Sequence, residues 1–187
     1  MRAFSVQIMG AVFGLSEVML ALAKRSKKGS VSKDRGSLWM LWAVILASIG
    51  LANALALLEP QAASLLLLRA RYLGAALFIA GLALRWYAII HLGRYFTVNV
   101  SIAAGQAVVQ SGPYRLIRHP SYSGALLAFL GFGICSGNWL SLVVLVVPVT
   151  LAFLRRIAIE EGALVEALGA DYTAYAVRTK RLIPWVY

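Results

Sequence analysis

The sequence predicts an all-α integral membrane protein with about five transmembrane helices, the last two forming a short helical hairpin. Three observations carry this prediction. Of the 187 residues, 61% are hydrophobic and 13% charged, with a mean hydropathy of +0.79; a soluble domain is nearer half apolar and about a quarter charged. The apolar residues gather into runs, several of them near the roughly 20 residues that a bilayer requires. The basic residues sit at the ends of those runs, as the positive-inside rule describes. That placement assigns the net charge of +11 to membrane topology and argues against a nucleic-acid partner. The length suits one membrane domain, 1–187, with the first two helices in 1–71 and a core in 72–187.

Ala3 to Ala23 is the first span. It carries Glu17 and lacks a small-residue cleavage site, so it is kept as a membrane helix rather than a signal peptide. Gly10 and Gly14, four apart, permit close helix packing. Glu17 is read as a protonated or snorkelling carboxyl. The loop 24–35 follows, with Lys24, Arg25, Lys27, Lys28, Lys33 and Arg35 against Asp34 alone. Its charge marks the cytoplasmic side and suits anionic lipid.

Leu38 to Leu58 is the second span, with Trp39 and Trp42 where an aromatic belt sits. Glu59-Pro60 ends it. The third span starts at Leu65 or at Tyr72 and runs through Leu92. Arg85, near its inner end, is read as snorkelling to the cytoplasmic interface; the alternative is that it lines a polar cavity. Residues 93–121 form a cytoplasmic connector, in which Phe96 to Ile102 alternates with β-branched residues like a short extended piece.

Tyr122 to Ser136 and Leu140 to Leu154 are apolar, each short for a span, and joined by Gly137-Asn138-Trp139. Pro148 is expected to kink the second. Residues 155–187 read as an amphipathic tail, with Gly169 ending a helix and Arg181 to Tyr187 as an interfacial anchor. Five spans with the 24–35 loop inside put the N-terminus outside. They bring the connector and the tail to the cytoplasmic face together. Cys135, the only cysteine, reads as a small buried hydrophobe.

Two polar clusters interrupt the apolar pattern. The first is Gly112-Pro113-Tyr114-Arg115-Leu116-Ile117-Arg118-His119-Pro120-Ser121-Tyr122-Ser123-Gly124. The second is Arg155, Arg156, Glu160, Glu161, Tyr172, Tyr175 and Arg181. Pro120 pushes His119 out of the helical region and suits the first turn of the next helix, whose free N–H groups favour an anion. Glu160 and Glu161 are neighbours on a helix and cannot face each other as an acid/base dyad. One of them faces a site and the other solvent. His91 and His119 lack further ligands nearby, so no metal site is expected.

The order Gly-Pro-Tyr-Arg (112–115), Arg-His-Pro-Ser-Tyr-Ser-Gly (118–124), a short hairpin, then Arg156, Glu160-Glu161, Leu164, Gly169, Tyr172 and Tyr175 resembles the isoprenylcysteine carboxyl methyltransferases. The resemblance covers roughly residues 72–187; the Arg-His-Pro-x-Tyr-x-Gly motif alone is shared with phospholipid methyltransferases and, more loosely, with sterol reductases. It implies S-adenosylmethionine as cofactor, held in a pocket formed by the connector and the tail. It implies a lipophilic carboxylate substrate entering sideways from the bilayer, among membrane lipids. Gln106, Ala107, Val108, Val109, Tyr114, His119, Pro120, Tyr122 and Glu161 would cradle the cofactor. Arg118, Arg156 and Glu160 would form the substrate end and its supporting network. The family usually has a histidine where this chain has Gln106. The alternatives are a phospholipid amine N-methyltransferase, an NADPH-dependent lipid reductase and a non-enzymatic membrane scaffold.

Overall fold

The computed structural model describes residues 2–23, 31–32, 36–58, 65–98, 101–102 and 105–187. Its helices are α1 (Arg2–Ala23), α2 (Ser37–Leu58), α3 (Leu65–Leu92), α4 (Pro120–Ser136) and α5 (Trp139–Arg178). Three of them contain stretches long and apolar enough to cross a membrane, Ser37–Leu55, Arg69–Tyr95 and Trp139–Arg178; Gln7–Ala23 and Pro120–Ser136 are shorter apolar helices. Apolar side chains on the outer faces, such as Leu15, Met19, Leu46, Ile79 and Leu151, are more than half exposed. So large an apolar exterior suits lipid rather than water. The chain is an all-α integral membrane protein.

The third helix starts at Leu65, which decides between the two starts the sequence allowed. The expected short hairpin is half right. Gly137 ends α4 with a left-handed backbone (φ 70°), and Asn138 caps α5 by accepting from the N–H groups of Leu140 and Ser141. However, α5 does not stop at Leu154. It continues past Arg155 because the apolar residues Phe153, Ile157, Ala163 and Leu164 keep helical spacing through the charged stretch, as far as the helix break expected at Gly169, and resumes to Arg178. The amphipathic tail is thus, as far as Arg178, joined to the membrane part of α5. The backbone leaves helical values inside α5 at Gly169 (φ 54°, ψ −125°), not at Pro148.

The close helix packing lies elsewhere than Gly10 and Gly14. A methyl group at Gly14 would meet nothing within 4 Å, and one at Gly10 would make ordinary contact with Phe132. Instead α3 packs chiefly on α4, where Gly74 and Gly81 face Gly131 and Gly124. A Cβ at Gly81 would stand 2.6 Å from the Gly124 carbonyl oxygen, and one at Gly124 2.6 Å from that of Gly81. Backbones this close tolerate only hydrogen at those positions. Meanwhile α2 packs on α5, where Ser141 donates to the Ala52 carbonyl at 2.8 Å. Phe13, Leu41, Ile45, Phe78, Phe129, Phe132, Leu145, Val149 and Phe153 fill the core between the helices.

Glu17 and Arg85 correct the readings given to them. Neither snorkels. Arg85 Nε and Nη2 donate to the two Glu17 carboxylate oxygens at 2.6 and 2.8 Å. Both side chains are under 10% exposed. Each charge satisfies the other where an unpaired one would be costly. Arg85 also donates to the Ser121 carbonyl at 3.2 Å, so the pair ties α1, α3 and the start of α4 together.

The basic loop's side chains, Glu59-Pro60 and residues 61–64 lie outside the described residues. The loop's Val31–Ser32 (β1) nonetheless pairs antiparallel with Ser101–Ile102 (β2) of the connector. Of the expected extended piece Phe96 to Ile102, the pairing covers Ser101–Ile102, and it brings Val31–Ser32 against the connector.

Candidate functional site

The two polar clusters meet. The C-terminal strap 179–187 lies along the central motif: Arg118 and His119 donate their backbone N–H groups to the carbonyls of Lys180 and Arg181 at 2.8 and 3.0 Å. Ser123 Oγ donates to the Leu182 carbonyl at 2.6 Å. The expected interfacial anchor is thus also a clasp over the site, with Trp185 and Val186 left exposed.

Beneath the strap sits Glu161. It accepts from Arg118 Nε at 2.7 Å and Arg181 Nε at 2.9 Å, and lies 3.2 Å from His119 Nε2. Arg118 also donates to the carbonyls of Ala176 and Thr179. Glu161 lies beyond Arg155, where the apolar stretch of α5 ends. Burial pushes its carboxyl up, but the hydrogen bonds from His119, Arg181 and Arg118 outweigh burial and hold it at about 2.

Glu160, one residue earlier, points into a cleft instead. It accepts from the Tyr122 hydroxyl at 2.8 Å, and that hydroxyl in turn accepts from Arg156 Nε at 3.1 Å. Arg156 also donates to Ser37 Oγ at 3.0 Å and to the Val98 carbonyl. The Tyr122 ring stacks on His119 at 5.6 Å and tilts against Phe153 at 5.0 Å. Arginine, tyrosine and glutamate therefore form one fixed line across the cleft.

This cleft spans about 850 Å³, its open mouth included. Its wall brings together Gln106, Ala107, Val108, Val109, Tyr114, Arg118, His119, Tyr122, Arg156 and Glu160. Two expected site residues stay out of it. Pro120 is fully buried at the first turn of α4. Glu161 faces the clamp just described, neither the cleft nor solvent. Further wall residues were not assigned to the site from sequence: Tyr95, Phe96 and Thr97 from the connector, and Leu168 from α5; Leu164, part of the resembling pattern, lines it too. Tyr172 and Tyr175, quoted in the polar cluster and in the resemblance but given no role there, also line it. The Tyr172 hydroxyl is buried with no hydrogen-bond partner among the described residues. Tyr175 donates to the Tyr114 carbonyl at 2.7 Å. Burial, aided by the negative charge of Glu160, pushes the Tyr114 hydroxyl well above its usual range. That tyrosine is a neutral donor, bonded to the Ala88 carbonyl at 3.3 Å.

A second, largely apolar cavity adjoins the first, about 470 Å³ with its open side included. Phe13, Leu20, Leu41, Trp42 and Ile45 line it, with the Glu17–Arg85 pair on one side. Phe96, Thr97, Tyr122 and Arg156 belong to both walls, so polar cleft and apolar cavity share a junction. Arg85 thus borders a cavity, but a largely apolar one rather than the polar one of the alternative reading, and it is paired there.

A membrane bundle with a polar cleft opening beside an apolar cavity defines a class: proteins that bring a water-soluble ligand to a lipophilic one. A family model described as phospholipid methyltransferase matches residues 68–171, more than half of the chain, and the chain belongs to that family. It is 36% identical over 115 residues to protein-S-isoprenylcysteine O-methyltransferase B of Arabidopsis thaliana, covering 60% of this chain and 58% of the relative. It is 32% identical over 117 residues to a probable protein-S-isoprenylcysteine O-methyltransferase of Oryza sativa subsp. indica, covering 62% and 61%. The solved structure of a eukaryotic intramembrane Ras methyltransferase, isoprenylcysteine carboxyl methyltransferase, matches with a TM-score of 0.58 and 30% identity, over 62% of this chain and 42% of that one. The chain spans about three-fifths of the length of these curated relatives.

Proposed function

We propose that this protein transfers a methyl group from S-adenosylmethionine to the carboxylate of a lipophilic substrate such as an isoprenylated cysteine, at the membrane–cytoplasm interface. The observation that carries this is the shared junction of polar cleft and apolar cavity at Tyr122 and Arg156. The relatives named above bear that activity in their names.

The cleft fits the cofactor chemically. Its aromatic walls suit a flat base, and its Glu160 carboxylate and Arg118 guanidinium suit an amino-acid end. The orphaned Tyr172 hydroxyl and Gln106 offer further polar contacts. Residues 106–109, Tyr114, His119, Tyr122, Tyr172 and Tyr175 would hold it, with Pro120 fixing the helix start. When bound, S-adenosylmethionine supplies an electrophilic methyl on a sulfonium.

The chain's own part is positioning. A carboxylate is ionised at neutral pH, so its methylation needs no general base. It needs the nucleophile oriented and desolvated. Arg156, buried at the junction, is placed to attract and orient that carboxylate. Tyr122 and Glu160 keep Arg156 in register, and the apolar cavity takes the tail and keeps water out. Glu161 acts from behind, locking Arg118 and the strap in place. Because β1 pairs with β2, the basic loop and the site share a face. The loop's positive charge makes that face cytoplasmic, with the N-terminus outside.

One observation favours a second reading. The family model is described by phospholipids, and Glu160 within the cleft is a candidate base for an amine acceptor. Calorimetric titration of the purified protein separates the broader classes. The expected result is saturable binding of S-adenosylmethionine and S-adenosylhomocysteine, weakened in His119→Ala. Binding of NADPH alone would move the chain to the lipid reductases, and binding of none of the three to a folded protein would leave a scaffold.

A further inference from the structure

Below the apolar cavity lies a third, small one, open in part to the bundle's exterior and lined by Gly10, Ile49, Phe78, Phe129 and Phe132. Phe13 is the residue common to the two walls. Its ring tilts against Phe129 at 4.7 Å between centroids, and it is 6% exposed. Phe13 is therefore the partition between the two cavities.

The spacing along the helices gives the depth. From Leu20 to Phe13 on α1, and from Leu38 to Ile45 on α2, the upper cavity descends seven residues, about 10 Å at helical rise. The lower cavity reaches Gly10 and Ile49, three or four residues further, about 5 Å more. That increment matches one extended isoprene unit. Only about half of the lining of the two cavities comes from α1 and α2, outside the stretch 68–171 that the family model matches. The partition itself, Phe13, stands outside the matched stretch, against Phe129 inside it.

Resting on the proposed function, we propose that Phe13 is a length ruler for the substrate's isoprenoid tail. With the first isoprene unit at the junction beside the thioether, the upper cavity holds two more and Phe13 stops a fourth. The intact protein prefers a farnesyl tail, and loss of the Phe13 ring opens the lower cavity to a geranylgeranyl tail.

The experiment is a length ladder of S-geranyl, S-farnesyl and S-geranylgeranyl N-acetylcysteines. Protein in lipid nanodiscs is read first for binding, as the rise in unfolding midpoint with acceptor concentration, and second for methyl transfer. The wild type is expected to favour farnesyl. Phe13→Ala should raise the geranylgeranyl-to-farnesyl affinity ratio roughly tenfold, the scale of discrimination that apolar pockets achieve. Gly10→Leu alone, filling only the lower cavity, should leave the wild-type order unchanged. In Gly10→Leu/Phe13→Ala the ratio should fall back. Should Phe13→Ala not fold, the smaller change Phe13→Leu decides, with the same direction expected.

A folded variant with an unchanged ratio, or a wild type indifferent to tail length, overturns the ruler. A wild type that binds the ladder with the expected order but methylates none of it overturns the methyltransferase reading and leaves the ruler standing.

Discussion

Glu161→Gln removes the charge that gathers Arg118, His119 and Arg181 under the strap while keeping the side chain's shape. The gap between the ordinary 4.5 and the about 2 of the folded protein, at about 1.4 kcal/mol for each pH unit, makes the ionised clamp about 3 kcal/mol more favourable than the protonated one. That agrees with the roughly 3–5 kcal/mol lost when one member of a buried ion pair is removed. For a chain this size it corresponds to roughly 6–12 °C in unfolding midpoint. The folded carboxyl is depressed, so its stabilisation is fully present above 4.5 and is lost as pH falls towards about 2. The assay is thermal unfolding in detergent across that window, wild type beside variant. The variant should unfold earlier at neutral pH, and the two curves should converge as the pH approaches 2. Equal midpoints at neutral pH, or curves that stay parallel to the lowest pH, would refute the clamp.

The other expected outcomes follow from separate contacts. Glu17→Gln or Arg85→Met, each stranding a buried partner, should cost roughly 3–5 kcal/mol. The double variant should cost less than the two together, as a double-mutant cycle of unfolding free energies will show. Gly81→Ala or Gly124→Ala drives a methyl against the opposite carbonyl and should abolish a cooperative unfolding transition. Gly14→Ala, with open space around it, should keep the midpoint or raise it by up to about 1 kcal/mol of stability. Tyr122→Phe keeps the stack on His119 but cuts the line between Arg156 and Glu160. It should lower methyl transfer at least roughly tenfold, about the worth of one hydrogen bond to a charged group, while the unfolding midpoint changes little.

The membrane helices were legible because apolar length is a local signal, and so was the Gly137-Asn138 turn. Other features carried no local signal. Glu17 and Arg85 stand 68 residues apart, so each looked like a lone charge that must snorkel. The strap that carries Arg181 to Glu161 could not be seen from a segment that reads as an anchor. The amphipathic helix after Leu154 was legible, but its continuity with the span before it was not, because charge at Arg155, Arg156, Glu160 and Glu161 reads as the end of a span. The glycines that join α3 to α4 recur at seven residues, 74 to 81 and 124 to 131, while attention fell on the four-residue spacing of Gly10 and Gly14. Conversely, most of the residues assigned through the family resemblance do line one cleft. Glu161 and Pro120 support it from behind, a distinction that sequence order alone cannot draw.

The most direct test of the central claim uses S-adenosylmethionine tritiated in its methyl group, with N-acetyl-S-farnesylcysteine and, separately, a phospholipid amine as acceptors. A carboxyl methyl ester releases its label as volatile methanol in base, whereas an N-methyl group does not. The account predicts base-labile label from the farnesylcysteine, dependent on Arg156. Label that stays base-stable and follows the amine would contradict it.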